Sequence, residues 1–279
     1  FSHKLTDTVS FISNSKLSSY DEETPTSIYG GGGLVDDDFD GVPDDYRTVQ
    51  QYNFSYAEHV DSFASDNRFD ISLDAGAVSH QIIAGVDYRN PVHAPQATLE
   101  PGYPFSFNNQ TLKQTGLYVQ DHIGLGKLFF TISGRQDWVT IENNATNEST
   151  DQEKFTYRAG ANYIFDNGVA PYISYATSFE PVLGSDSVTG EEFDPSDGEQ
   201  IEAGVKYDAR GLPEGYELLL TGAIYQITQS NIVSSAPSVT PVFGTQTGEV
   251  EVNGLELELV SRINDALSIN ASYSYTDSE

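Results

Sequence analysis

Short turns and long polar loops alternate strictly along this chain, and few folds tolerate that pattern. Short turns fall near residues 76, 125, 167, 211 and 265, and long polar loops near 35, 100, 147, 190 and 238. Between them lie segments whose apolar residues recur at every second position. Phe155, Tyr157, Ala159, Ala161, Tyr163 and Phe165 alternate with Thr156, Arg158, Gly160 and Asn162. Val169, Pro171, Ile173, Tyr175 and Phe179 oppose Ser174, Ser178 and Glu180. Successive strand side chains point to opposite sides, so each segment reads as a strand with one apolar and one polar face. A soluble sandwich also alternates, but it needs a second sheet over its apolar face and has no reason to keep short turns on one rim. A transmembrane β-barrel does both, with aromatics towards the ends of its outward faces and a polar lumen. The fold is read as all-β, an antiparallel transmembrane β-barrel, partial, with about eleven strands of a larger barrel.

Strands are expected from Val9 to about Ser19, Gln50 to Asp74, Gln81 to Tyr88, Gln114 to Asp121 and Leu128 to Trp138. Further strands are expected at Phe155 to Phe165, Pro171 to Pro181, Gln200 to Tyr207, Leu218 to Gln229, around Leu255 to Leu259, and at Leu267 to Tyr275. The phase of apolar residues slips between Tyr56 and Phe69, which predicts a bulge there. Leu218 to Gln229 carries apolar residues on both faces, so its orientation stays open. Long loops are expected over Tyr20 to Arg47 and over Arg89 to Asn109, the second containing Pro91, Pro95, Pro101 and Pro104.

Composition closes off other classes. No apolar run approaches the roughly eighteen residues of a membrane helix, whereas a tilted barrel strand needs only about nine to eleven with every other one apolar. Thirteen basic residues against 42 acidic ones give a formal charge of −29, the opposite of what a phosphate-binding groove requires, so nucleic acid is excluded as a partner. Cysteine is absent, which removes disulfides and thiolate metal sites. The chain starts at Phe1 and contains no methionine, and it reads as part of a longer polypeptide.

The five histidines show no metal-binding spacing. There is no nucleophile elbow and no phosphate loop, and no catalytic residue is assigned; the chain is not read as an enzyme. Arg135 and Asp137 share the polar face and are expected to pair as wall structure, and Arg158 and Glu202 fit the same face. One loop carries metal chemistry. Asp36-Asp-Asp-Phe-Asp-Gly-Val-Pro-Asp44 places Asp36, Asp38 and Asp40 at the first, third and fifth positions, with Gly41 at the sixth. Val42 offers a carbonyl and Asp44 a ninth-position oxygen, the spacing of a Ca²⁺ loop. Arg47 stands where an EF-hand has its bidentate Glu, so the loop resembles a thrombospondin type 3 calcium repeat instead. A merely acidic, solvated loop is the alternative.

Gln114-Thr-Gly-Leu-Tyr-Val-Gln-Asp121, Gly134-Arg-Gln-Asp-Trp138, Tyr163-Ile-Phe-Asp-Asn-Gly-Val-Ala-Pro-Tyr-Ile-Ser-Tyr175 and Ser178-Phe-Glu-Pro181 resemble the barrel of TonB-dependent siderophore receptors, most of all the ferrichrome (hydroxamate) type. Gly204-Val-Lys-Tyr207, Gly222-Ala-Ile-Tyr225 and Tyr273-Ser-Tyr-Thr-Asp277 extend the likeness over nearly the whole chain. The resemblance implies one domain, residues 1–279, that is part of such a barrel without its plug domain and terminal strands. It implies a bacterial outer-membrane receptor that binds and imports a ferric siderophore with energy from TonB. Its partners would be that ligand, outer-membrane lipid, and the TonB complex reached through an N-terminal region. Iron would be present only in the ligand, with no covalent cofactor. Tyr29, in Ser27-Ile-Tyr-Gly-Gly31, falls where ferrichrome-type receptors have Tyr-Gly-Tyr, with Gly31 in place of the second tyrosine; Phe105 and Phe107 fall where the family places a ligand-contacting phenylalanine. Packing of loop against loop is the other reading of these three. A hydroxamate complex presents an uncharged, partly apolar surface that aromatic rings can cradle, and dense negative charge disfavours anionic catecholate complexes. A passive porin and a surface calcium-binding adhesion protein are the competing functions.

Overall fold

A computed structural model describes residues 1–35, 45–100, 110–144, 147–186, 191–235, 244–246, 248–264 and 266–279, with backbone alone at 24–35, 45–46, 48–56 and 92–100. Its main body is one antiparallel sheet. The sheet begins with β1 (Ser2–Lys4), β2 (Val9–Val35), β3 (Asp45–Ala75), β4 (Val78–Glu100) and β5 (Gln110–Leu125). It continues through β6 (Leu128–Asn143), β7 (Glu148–Tyr163), β8 (Val169–Glu180), β9 (Ser196–Asp208) and β10 (Tyr216–Ser230). A separate two-stranded ribbon, β11 (Val233–Ser235) with β12 (Gly244–Gln246), precedes β13 (Glu249–Ile263) and β14 (Leu267–Ser278). Each strand of the twelve-stranded sheet pairs with its sequence neighbour, β10 passing directly to β13. Eleven of these strands are long, as expected; β1 is a short addition against Ser10–Ile12.

Register sorts the side chains into two faces, since directly opposed residues share a side. One face runs Phe11, Phe69, Ala84, Val119, Gly134 and Tyr157 from strand to strand. Further along it runs Ala161, Ile173, Ala203, Ile224 and Leu255. Its large apolar side chains are exposed, Ile173 at 53% and Ile224 at 59%. In water such a face would stay bare at large cost; against lipid it is the favourable side of a barrel wall. The other face carries Asp66, Arg68, Asp87, Tyr118, Arg135 and Glu202. Pairing also settles β10. Leu220 and Ile224 oppose Tyr207 and Ala203 on one side and Leu259 and Leu255 on the other, so they join the apolar face.

The short turns lie where expected. Ala75 pairs with Val78 across Gly76-Ala77, with Gly76 at φ +68°, the positive value that a two-residue hairpin loop needs at its first position. Three of the long connections are shorter than expected. β2 and β3 reach Val35 and Asp45, β4 runs to Glu100, and Asn143 pairs with Glu148, so the polar connection near 147 is itself a tight one. β3, at 31 residues, is about 100 Å long, far more than a bilayer requires. Beyond the membrane no lipid faces the outer side, so strands continue there without the alternation that marks them in lipid. The expected bulge is also displaced. The β3–β4 register is continuous from Asn53 to Ala75, and the irregularities lie between Thr24 and Ser27 and near Leu34 instead. The apolar phase slips in β3 because its upper part has no lipid to face. Pro91 and Pro95 lie inside β4, opposite Ser62 and Glu58. The β4–β5 ladder skips Asn90 and Pro91, as a residue without an N–H dictates.

Candidate functional site on the inner wall

The polar face of β3 to β6 carries a connected network built around Arg135. Its Nε donates to Asp137 Oδ2 at 2.7 Å, and Nη2 donates to Asp137 Oδ1 at 2.6 Å and to Asp87 Oδ1 at 3.1 Å. Nη1 donates to Asp87 Oδ2. Gln114 Nε2 donates to Asp137 at 2.6 Å, and Arg89 Nε donates to Gln114 Oε1 at 2.6 Å. Asp137 is almost wholly enclosed, its side chain 4% exposed. A second knot adjoins: Tyr118 and Arg68 both donate to Asp66, Arg68 reaches Asp70 as well, and the Arg135 guanidinium lies 5.9 Å from the Tyr118 ring centre. The glycine of the Gln114-Thr-Gly segment is what lets this form. A Cβ at Gly116 would sit 2.0 Å from Arg135 Nη2, so the guanidinium crosses the strand only over a residue without a side chain.

The expected pairing of Arg135 with Asp137 is therefore present and is bidentate. A guanidinium does not give up its proton, and bidentate forks of this kind hold geometry. On β8 and β9, Tyr172 donates to Glu202 at 2.6 Å and Gln200 to the other Glu202 oxygen at 3.0 Å. Glu202 thus faces inward, and so does Arg158, opposite Ser133 and Ala176.

Above this wall a small apolar cluster closes over the same face. Leu112, Val139 and Ile141 are buried, with Phe179 and Leu183 packed on them. Gly184 N–H donates to Oε1 of Gln110, which is 1% exposed. The segment following β8 is thereby pinned inward against β5 and β6. Sequence reading missed this cluster. Its signal is a change of phase at Trp138, after which the apolar residues Val139 and Ile141 sit on the face that Arg135 occupies below.

Higher still, the β2–β3 hairpin holds His59 between two carboxylates, Nδ1 at 2.6 Å from Asp21 and Nε2 at 3.0 Å from Asp61. The hydrogen bonds to Asp21 and then Asp61 raise the pKa of His59.

Tyr29 lies in β2 with its backbone opposite Tyr52. Phe105, Phe107 and the loop residues Asp36, Asp38, Asp40, Val42 and Asp44 lie outside the described residues. Among the described residues no group of three or more histidines and carboxylates is arranged to hold a metal.

Comparison with known proteins agrees with this wall. The family model described as TonB dependent receptor-like, beta-barrel matches residues 1–279. The chain is 35% identical over 241 residues to the ferrioxamine B receptor of Salmonella typhimurium, covering 79% of this chain and 33% of that protein. It is 34% identical over 253 residues to the ferrichrome outer membrane transporter/phage receptor of Escherichia coli K12, covering 80% and 33%. The chain thus spans about a third of the length of these curated relatives. Among solved structures, P. aeruginosa FpvA bound to heterologous pyoverdines superposes over 100% of this chain and 39% of that one, with a TM-score of 0.79 and 14% identity, a likeness of fold. The apolar sheet face is the lipid-facing side of a wall in a bacterial outer membrane, and the chain belongs to the TonB-dependent receptor-like β-barrel family.

Proposed function

We propose that this chain is part of an outer-membrane receptor that binds a ferric siderophore of the hydroxamate class and imports it with energy delivered through TonB. The observation that carries this reading is the 34–35% identity, over about four fifths of the chain, to receptors named for ferrioxamine B and ferrichrome. Iron enters as cargo inside the ligand. No catalytic step belongs to this reading. A passive porin fits less well, since the relatives over four fifths of the chain are named as siderophore receptors. In this reading residues 1–279 are one portion of the barrel, and plug and remaining strands are supplied by the rest of the receptor.

Tyr29, Phe105 and Phe107 are proposed to cradle the ligand. In the intact receptor, replacing each by alanine should weaken ferric hydroxamate binding by about 1–3 kcal/mol per ring that touches it. Binding titrations that show no loss for any of the three would place the site elsewhere in the outer loops.

A further inference from the structure

On the lipid-facing side of β4 and β5 a hydrogen-bonded His–Asp pair interrupts the apolar surface. His80 Nδ1 lies 2.8 Å from Asp121 Oδ2, and about a quarter of each side chain is exposed, 27% and 25%. Pairing puts both on the face of Val78, Ile82, Ile123 and Ile132, not on the inner wall. Asp121 Oδ1 is enclosed without a hydrogen-bond partner, a cost that an apolar pair at this place would avoid. Ionisable side chains on a barrel's outer face cost least near an interface. Asp121 is four residues before the end of β5 at Leu125, which puts it about 9 Å above the short-turn rim at a strand tilt of about 45°. That is the periplasmic interface, and Phe130, paired with Ile123, lies beside it.

Above the pair, across β2 to β7, runs a concavity of about 710 Å³. Ala84 and Gly134 form its shallow floor, and its walls are Phe11 with Phe69 (ring centres 5.3 Å apart) and Phe155. From His80 to Val86 is six residues, about 20 Å along the strand and about 14 Å of membrane depth, roughly one leaflet's share of the apolar band.

We infer that β2 to β7 carry a phospholipid site on their outer surface, with a phosphoethanolamine headgroup on His80 and one acyl chain in the groove. With Nδ1 committed to Asp121, Nε2 is left for a ligand. As N–H it donates to a phosphodiester oxygen; as a bare nitrogen it accepts from an ammonium, and this headgroup offers both. The inference rests on the lipid-facing wall and is independent of the siderophore reading.

The test is native mass spectrometry of the intact receptor in mild detergent, with phosphatidylethanolamine, phosphatidylglycerol or lipopolysaccharide added back. The wild-type protein should retain one phosphatidylethanolamine saturably. His80→Leu and Ala84→Phe should each reduce retention about tenfold, and Ile224→Phe, on the same face outside the groove, should leave it unchanged. His80→Leu and Ala84→Phe put apolar side chains against lipid, so loss of fold is not expected, and heat-modified gel mobility checks it. Equal retention in the His80, Ala84 and Ile224 variants overturns the site. So does retention of lipopolysaccharide instead, or of phosphatidylglycerol as strongly as phosphatidylethanolamine.

Discussion

Arg135→Leu is the most informative single change in the inner wall. The guanidinium makes four charge-assisted contacts, two to Asp137 and two to Asp87. Its loss strands one carboxylate that is 4% exposed and another that is 25% exposed. Breaking a buried ion pair by removing one partner costs about 3–5 kcal/mol, because the remaining charge is left uncompensated. Asp87 retains some water and Gln114 still donates to Asp137, so the lower end, about 3 kcal/mol, is expected. The same substitution in an Asp87→Asn/Asp137→Asn background should cost less than about 1 kcal/mol, since neutralising the whole set removes the stranded charges. Denaturant unfolding of the intact receptor in detergent micelles, run as a mutant cycle, measures both numbers. If Arg135→Leu costs as much in the neutral background as in the wild type, charge compensation is not what the network provides, and the argument fails.

Other outcomes follow from the two faces and the hairpin. Ile173→Arg should destabilise by about 2–4 kcal/mol near mid-membrane and Ser174→Arg by about 0–1; equal costs in a folding assay would refute the assignment of faces. His59 has a raised pKa because Asp21 and Asp61 hold its charged form. The tie it adds to the β2–β3 hairpin should be full below the unfolded value of about 6.5 and disappear as pH rises through the higher folded value. Hydrogen exchange of residues 17–23 and 57–62, corrected for intrinsic rates, should show more protection at low than at high pH, and His59→Gln should abolish the difference. Calcium titration of the intact receptor should show a weak site, on the order of 10⁻⁴–10⁻³ M, that Asp38→Asn/Asp40→Asn removes; identical curves would leave residues 36–44 as acidic loop only.

The amino-acid order by itself determined the wall within the membrane. Lipid rewards apolar side chains on one face only, so period two is imprinted on β5 to β9, and Ile173, Ala161 and the inward Arg135 with Asp137 were legible from it. The candidate ligand residues rested on resemblance, since ring chemistry alone does not separate a ligand contact from a loop contact. Tertiary structure decided what lies beyond the reach of that imprint. β10 has apolar residues on both faces, and only its register against Val205 and Leu257 shows which face meets lipid. The upper parts of β2, β3 and β4 are held as strands by continuous backbone pairing, with no lipid to impose alternation. Leu183 finds Leu112, Val139 and Ile141 across the sheet, and the His80–Asp121 pair joins residues 41 apart. Contacts of that kind depend on which strands lie side by side, and no local pattern encodes them.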